Sequence, residues 1–464
     1  MSTPATGLRR LEDIVGSSHL LRDAASLANY EVDGLRPAAV AQPGSADETA
    51  EVVRFAAAER LALIATGSRT KLGMGMPPRR YDLALDMTRL SRVLAYDPGD
   101  LTLGVEPGIR LTDLARTLAE HKQFIPLAVP YLQQATIGGT LASGVDSPLR
   151  QFYGTARDYL LGLEFVTGEG VLTKSGGRVV KNVTGYDLHK LLIGSLGTLG
   201  VITRLNFRTF PLPPISRGFL ATFPKLAGAV ELRKRIVQSP LTPVTLEILS
   251  PEVVQVFARA TPGTDPALAP AGALLSTSHW TLAAGFGGTE RVVARCAADL
   301  TRMAEETKAA GARILGDEER PAVWGRLREF IPLMLESSPA ATIVKISALP
   351  GQAIELLDRL KRIAEQCELP CATLARGVGV IYAVLLPATN DEGTLARLAR
   401  AAAELIQAMG EAGARAMIPW CPRELKRTVN IWGPVRGDFA LTERVKKTFD
   451  PLGILSPGRF PGGL

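Results

Sequence analysis

A chain of 464 residues with 46% hydrophobic and 21% charged content is large enough for two or three buried cores. Its net charge of +7 is spread thinly, in clusters no larger than Arg79-Arg80 and Lys446-Lys447, so no nucleic-acid-binding stripe is expected. No apolar run reaches the roughly 18 residues that cross a bilayer, and the start MSTPATGLRRLEDIVG lacks an apolar signal core, so a soluble cytoplasmic chain is expected.

In chain order, residues 1–30 read as an N-terminal helical segment. The stretch 47–60, DETAEVVRFAAAER, carries apolar residues at helical spacing behind an aspartate able to cap it. LALIAT follows as a short buried strand, then the glycine-bearing loop from Gly67 to Gly75. YDLALDM and LTLGVEPG are further strand candidates, and LTDLARTLAEH has the pattern of a helix. ATIGGTLASG, residues 135–144, gathers small residues at the start of a helix. DYLLGLEFVTGEG and VLTKS read as a strand, a turn and a second strand. After PLPPIS the texture changes. FLATF, a helix near 226–238, VTLEIL, WTLAAGF and a helix near 290–310 form one block. TIVKISAL, a helix near 352–367, VIYAVLLP and a helix near 395–409 form a second, similar block. Two such blocks predict an antiparallel sheet covered by helices, in an α+β fold.

Two segments have the make-up of anion-holding loops. A diphosphate held without a metal needs convergent backbone N–H donors, and small residues let the chain approach it. GSRTKLG supplies one such loop directly after a strand, with Ser68 and Thr70 as hydroxyl donors. ATIGGTLASG supplies another at a helix start, where the free N–H groups favour negative charge. Neither is a Walker loop, because Lys71 precedes the next glycine instead of following it. GVGVIY and GFGGTE both lack the third glycine of a dinucleotide fingerprint. Cys367 and Cys371 form a lone C-x3-C, and the four histidines are scattered, so no metal or iron–sulfur site is expected on this chain.

In this order, IATGSRTKLG, TIGGTLASG, YGTARDYLLGLEFVTGEG, KNVTGYDLHKLLIGSLGTLGVIT and DPLGILSPGRF resemble the flavoproteins whose FAD domain is named for p-cresol methylhydroxylase and vanillyl-alcohol oxidase, the PCMH type. KNVTGYDL…GSLGTLGVIT and DPLGILSPGR are shared with the D-2-hydroxyacid dehydrogenase and glycolate oxidase branch. NIWGPVRGDFALTERVKKTFDPLGILSPGRF resembles the ending of the FAD-binding glycolate oxidase subunit, and paired metal-binding histidines are missing. The resemblance implies a two-subdomain FAD-binding domain over 31–212, a cap domain over 213–415 and a segment 416–464 that packs back on the first.

It also implies site residues. Thr66, Gly67, Ser68, Arg69, Thr70 and Lys71 are expected to wrap the FAD pyrophosphate. Thr136, Ile137, Gly138, Gly139, Ser143 and Gly144 are expected along the diphosphate and ribityl chain. Gly154, Arg157 and Asp158 fall where the family approaches the flavin, and Gly200, Val201 and Ile202 should contact the cofactor through strand backbone. Thr70 stands where covalent members place a histidine, so FAD should be noncovalent. Lys181, Asn182, Thr184 and Tyr186 are either substrate contacts or residues that fix a tight turn around Gly185. Asp187 is read as a cap ahead of LHKLLIG. Arg376 is either a substrate anchor or a solvated strand-end arginine, and Arg459 either a cofactor neighbour or an ion-pair member. No catalytic base stands out. The implied activity is oxidation of a 2-hydroxy acid of the glycolate or D-lactate type, with electrons passed to a catalytic flavin subunit and an iron–sulfur subunit, at the inner face of the membrane through those partners. A stand-alone 2-hydroxy acid or alditol oxidoreductase and a non-catalytic FAD-stabilised assembly subunit remain the alternatives.

Overall fold

The computed structural model describes residues 5–178, 185–260 and 275–464. Two small sheets open the chain. The first has four strands: β3 (Leu83–Asp86) is parallel to both its neighbours, β1 (Ala39–Ala41) and β2 (Leu63–Thr66), and a two-residue strand, Leu20–Leu21, pairs antiparallel with the outer side of β1. A parallel connection needs a crossover, and α1 (Ala46–Ala58) provides it between β1 and β2. Ser45 caps α1, accepting from the Glu48 N–H at 3.0 Å, and Asp47 lies inside the first turn. The cap expected from Asp47 thus falls two residues earlier, where the chain is still extended and the hydroxyl can turn back on the helix.

The second sheet is antiparallel in the order β4 (Val93–Asp97), β5 (Thr102–Val105), β8 (Val201–Arg208), β6 (Leu160–Val166) and β7 (Leu172–Gly176). The apolar face of α1, with Val52, Val53 and Phe55, packs against Leu83 and Leu85 of β3 and against Val166 and Val201 of the second sheet. Helix α2 (Ile137–Ser143) lies in the chain between β5 and β6, with Thr136 as its cap. The two sheets are therefore bound by one core, and their loops meet on one side of it.

From Ile215 the chain builds an eight-stranded sheet in which every pair is antiparallel. Its first half takes β9 (Ile215–Phe223), α3 (Leu226–Gln238), β10 (Thr245–Leu249), β11 (Trp280–Gly288), α4 (Glu290–Glu306) and β12 (Gly311–Leu315). Its second half repeats the scheme as β13 (Thr342–Ser347), α5 (Ala353–Gln366), β14 (Cys371–Arg376), β15 (Val380–Leu385), α6 (Glu392–Glu411) and β16 (Arg415–Trp420). The order β12-β9-β11-β10-β14-β15-β13-β16 reads the same from either edge, with each block contributing its second strand to the centre. Helices α3, α4, α5 and α6 bury one face, and helices 251–259, 320–328 and 330–336 bury the other. A sheet covered on both faces explains the nearly uninterrupted apolar strands, such as VIYAVL, all six residues of which are buried.

The C-terminal stretch crosses back to the first sheet. Helix α7 (Phe439–Phe449) leads into a parallel bridge between Leu455 and Leu63, so the tail adds an edge beside β2. Among the described residues, no helix is long and apolar enough to cross a membrane.

Candidate functional site: a dinucleotide cavity and an adjoining charged chamber

The glycine loops meet in one open cavity, whose empty space counted out into solvent is about 790 Å³. The loop after β2 forms one wall through Thr66, Gly67, Ser68, Arg69, Thr70, Lys71 and Leu72. Thr136, Gly138, Gly139, Ala142 and Ser143 form a second wall, and Leu196, Gly197, Gly200, Val201 and Ile202 a third. Small residues are demanded here by contact. A Cβ on Gly67 would overlap Thr136 Oγ1, one on Gly138 would sit 2.5 Å from Pro107 Cβ, and one on Gly200 2.6 Å from Phe165. Gly197 has φ +72° and its neighbour Leu196 +53°, while Arg69 has +64°, so two residues with side chains hold a left-handed backbone at the cavity wall.

The charged side chains lining this cavity are Arg69, Lys71 and Arg459, all cations. Arg69 stacks over the Tyr30 ring at 4.6 Å and reaches Asp86 at 3.4 Å. Lys71 bonds Thr70 Oγ1 at 3.2 Å and lies 5.7 Å from the Tyr131 ring. Burial lowers the Lys71 ammonium to about 8, with Glu329 pulling it partly back. The buried hydroxyl of Thr66 and the Nε of Arg459 have no hydrogen-bond partner among the described residues. A cavity with a cationic lining, orphaned donors and glycines too close for a Cβ fits an extended phosphate-bearing ligand.

Helix α2 divides this cavity from a second hollow, whose empty space counted out into solvent is about 480 Å³. Gly138, Gly139, Ala142 and Ser143 face the first, and Thr140, Leu141 and Gly144 face the second, as helical spacing requires. Asp146, Ser147, Arg150, Gly154, Thr155, Tyr159 and Lys345 also line the second hollow. Here the two-sheet region meets the cap sheet. Arg376 ends β14 directly opposite Glu247 of β10, and its guanidinium lies 3.2 Å from Glu247 Oε1 and 3.2 Å from Asp146 Oδ2. It also lies over the Tyr382 ring at 5.5 Å. Arg150 approaches Asp146 at 3.4 Å. Lys345 faces this group from β13 with no direct hydrogen bond or ion pair among the described residues, and Asp146 is its attractive neighbour.

Burial sets the protonation of this cluster. It pushes Glu247 up to about 7, with Arg376 opposing and Asp146 reinforcing the rise. Burial would raise Asp146 too, but Arg376, Lys345 and Arg150 together hold its carboxyl below the ordinary value. Burial lowers the Lys345 ammonium, and Asp146 offsets part of that. Three cations therefore surround one firmly ionised carboxylate and one carboxyl close to its titration point. Such a chamber is electrostatically incomplete, and a small anion would complete it.

Most residues expected at the cofactor line the first cavity, while Ile137 lies in the core behind it. Gly144 and Gly154 line the second hollow instead. Arg157 and Asp158 line neither: Arg157 donates to the Lys190 carbonyl at 3.0 Å, and Asp158 caps its own helical turn by accepting from the Thr155 N–H at 2.7 Å. Lys181, Asn182 and Thr184 lie outside the described residues. Tyr186 is 88% exposed and lines neither hollow. Asp187 pairs with Lys190 at 2.9 Å across the turn Leu188–Leu191, and the adjacent His189 is buried against Ser175 Oγ at 3.1 Å. The solvated reading of Arg376 is corrected. At 6% exposure it sits mid-sheet, because its cross-strand partner and the first domain both present carboxylates to it.

Asp146, Arg150, Glu247, Lys345 and Tyr382 were not singled out in the sequence. The only local hint was a lone charge inside an otherwise apolar strand, as with Lys345 in TIVKIS and Glu247 in TLEIL.

Residues 37–176 match the family described as FAD binding domain, and residues 212–414 match FAD linked oxidases, C-terminal domain. The chain is 25% identical to glycolate oxidase subunit GlcD of Bacillus subtilis (strain 168) over 425 residues, covering 91% of this chain and 88% of that protein. It is 35% identical to glycolate oxidase subunit GlcE of Escherichia coli (strain K12) over 167 residues, covering 36% of this chain and 47% of that one. The crystal structure of p-cresol methylhydroxylase with substrate bound shares its fold at a TM-score of 0.78, with 20% identity over 98% of this chain and 96% of that one. Joined to a cationic, glycine-walled cavity, these matches make the chain a member of the PCMH-type FAD flavoproteins and an FAD-dependent oxidoreductase.

Proposed function

We propose that this chain oxidises a small 2-hydroxy acid to the 2-oxo acid, with FAD in the glycine-walled cavity and the substrate in the charged chamber across α2. The observation that carries this reading is the surplus of cations around Asp146, with Lys345 lacking any direct partner among the described residues. Bound FAD supplies the two-electron acceptor for the substrate C–H bond. Thr66 through Lys71 and the backbone at Gly138, Gly139 and Gly200 would hold it, without a covalent link from Thr70. Lys345 and Arg150 pair the substrate carboxylate by charge-assisted hydrogen bonds. Arg376 does not serve as that anchor, since two carboxylates already engage it. Asp146 accepts a hydrogen bond from the substrate hydroxyl and so fixes which face of the carbon is presented. Ser143 lines one hollow and Gly144 the other, so the end of α2 is where the two ligands would meet.

The relatives named as glycolate oxidase subunits support a further part of this reading, that the chain works as one subunit of a complex, and a second flavin subunit and an iron–sulfur subunit are the partners that the family resemblance implies. Co-purification from the native host tests that part, and a chain that elutes alone and reduces a soluble acceptor at full rate refutes it. The chemistry is tested on the purified holoprotein without oxygen. Glycolate or D-lactate should bleach the flavin, and an alditol or a diol without a carboxylate should not. Lys345→Met should raise the half-saturating acid concentration by about 10- to 100-fold, the loss of one charged hydrogen bond. Bleaching by an alditol as readily as by an acid would refute the reading. Acid precipitation should leave the flavin in the supernatant.

A further inference from the structure

Fewer than fifty residues at the C-terminus supply two buried cations to the loop that walls the FAD cavity. Lys426 Nζ donates to the Gly73 carbonyl at 2.7 Å and to both Asp33 oxygens at 2.9 Å. Arg459 Nη2 donates to the Leu72 and Met74 carbonyls on either side. Three consecutive carbonyls of one loop are thus occupied by distant cations. The tail backbone is itself pinned, with the Arg459 carbonyl accepting from the Met76 N–H at 3.1 Å and from Trp432 Nε1 at 3.1 Å.

Holding a loop would not by itself require a guanidinium in the cavity wall. Arg459 is 3% exposed, lines the FAD cavity, and keeps a buried Nε with no hydrogen-bond partner among the described residues. A buried charged donor left unpaired costs free energy unless a ligand satisfies it. None of the residues lining this cavity is a carboxylate that could do so. The most concentrated negative charge on FAD is its diphosphate.

We propose that Arg459 is a binding residue for the FAD diphosphate, fixing the glycine loop with one nitrogen of its guanidinium and meeting a phosphate oxygen with Nε. The C-terminal segment is on this account a wall of the cofactor site, so cofactor and tail stabilise each other. The proposal rests on the FAD assignment and not on the identity of the substrate.

The test uses the holoprotein as isolated, with two readouts. Release of FAD on dilution is followed by the rise in free-flavin fluorescence, and the bound diphosphate is followed by its phosphorus resonances. Arg459→Lys keeps a cation for the loop carbonyls but removes Nε. It should release FAD at least about 10-fold faster, the loss of one charged hydrogen bond, and it should shift the phosphorus resonances. Arg459→Met, which leaves the loop carbonyls unpaired, should release FAD faster still or fail to retain it. Wild-type release and unshifted resonances in Arg459→Lys would overturn the proposal. Faster release with unshifted resonances would overturn it as well, because the arginine would then act through the loop alone.

Discussion

Replacing Glu247 by glutamine should make this protein more stable at alkaline pH, although it removes one partner of a buried ion pair. Glu247 is 1% exposed, so solvent does not screen its environment. Burial raises its carboxyl from 4.5 in the unfolded chain to about 7 in the folded one. Between these values the unfolded chain has released the proton and the folded chain still holds it. Stability therefore falls as pH rises through this window, by about 1.4 kcal/mol per pH unit. Over the whole interval the loss amounts to about 3 kcal/mol. Glutamine cannot titrate, keeps the volume, and still offers an oxygen to Arg376 Nη1, 3.2 Å away in the parent protein. The variant should match the parent near pH 5 and exceed its unfolding free energy by about 3 kcal/mol near pH 8. Urea unfolding of the two proteins side by side from pH 5 to 8 measures the difference, since their other titrating groups cancel. Parallel profiles would refute the reasoning. So would a parent that gains on the variant as pH rises, because Glu247 would then be ionised and held by Arg376.

Three further outcomes concern the cofactor cavity. Gly67→Ala should weaken FAD binding by at least about 10-fold through overpacking against Thr136, measured by flavin retention on gel filtration. Gly73→Ala, in the same loop but with no atom within 4 Å of the added carbon, should bind FAD as the parent does. Lys71 is charged below about pH 8 in the folded protein and loses that charge above it. FAD affinity should therefore decline as pH rises through 8 in the parent and stay flat in Lys71→Met, read by fluorescence titration across pH 6 to 10.

The glycine loops that wall the first cavity were legible in the sequence because they are local. Steric demand at Gly67, Gly138 and Gly200 is met by residue type alone, and the strand before each loop and the strand or helix after it carry the periodicity that places them. The two strand-helix blocks of the cap were legible for the same reason. Helix 226–238 has the bounds that its apolar spacing predicts. The short helices 251–259, 320–328 and 330–336 were missed, since their burial comes from covering the second face of a sheet that no window of sequence reveals, and strands β12, β14 and β16 were missed because their pairing partners are distant in the chain.

The charged chamber was barely legible: Arg376, Gly144 and Gly154 were named from the sequence, but not the group they join. Asp146, Glu247, Lys345 and Arg376 come from parts of the chain up to 230 residues apart and meet only when the cap sheet closes on the first domain. Arg376 shows the consequence: its sequence neighbours made solvent exposure the simple reading, and its spatial neighbours bury it between two carboxylates. The sequence by itself showed two loops able to hold a diphosphate, because backbone approach restricts residue type at each contact, and the resemblance carried by five ordered motifs made that ligand FAD. Only the tertiary structure decided where a surplus of buried positive charge gathers, because net charge in a buried site is a sum over side chains that the fold alone brings together.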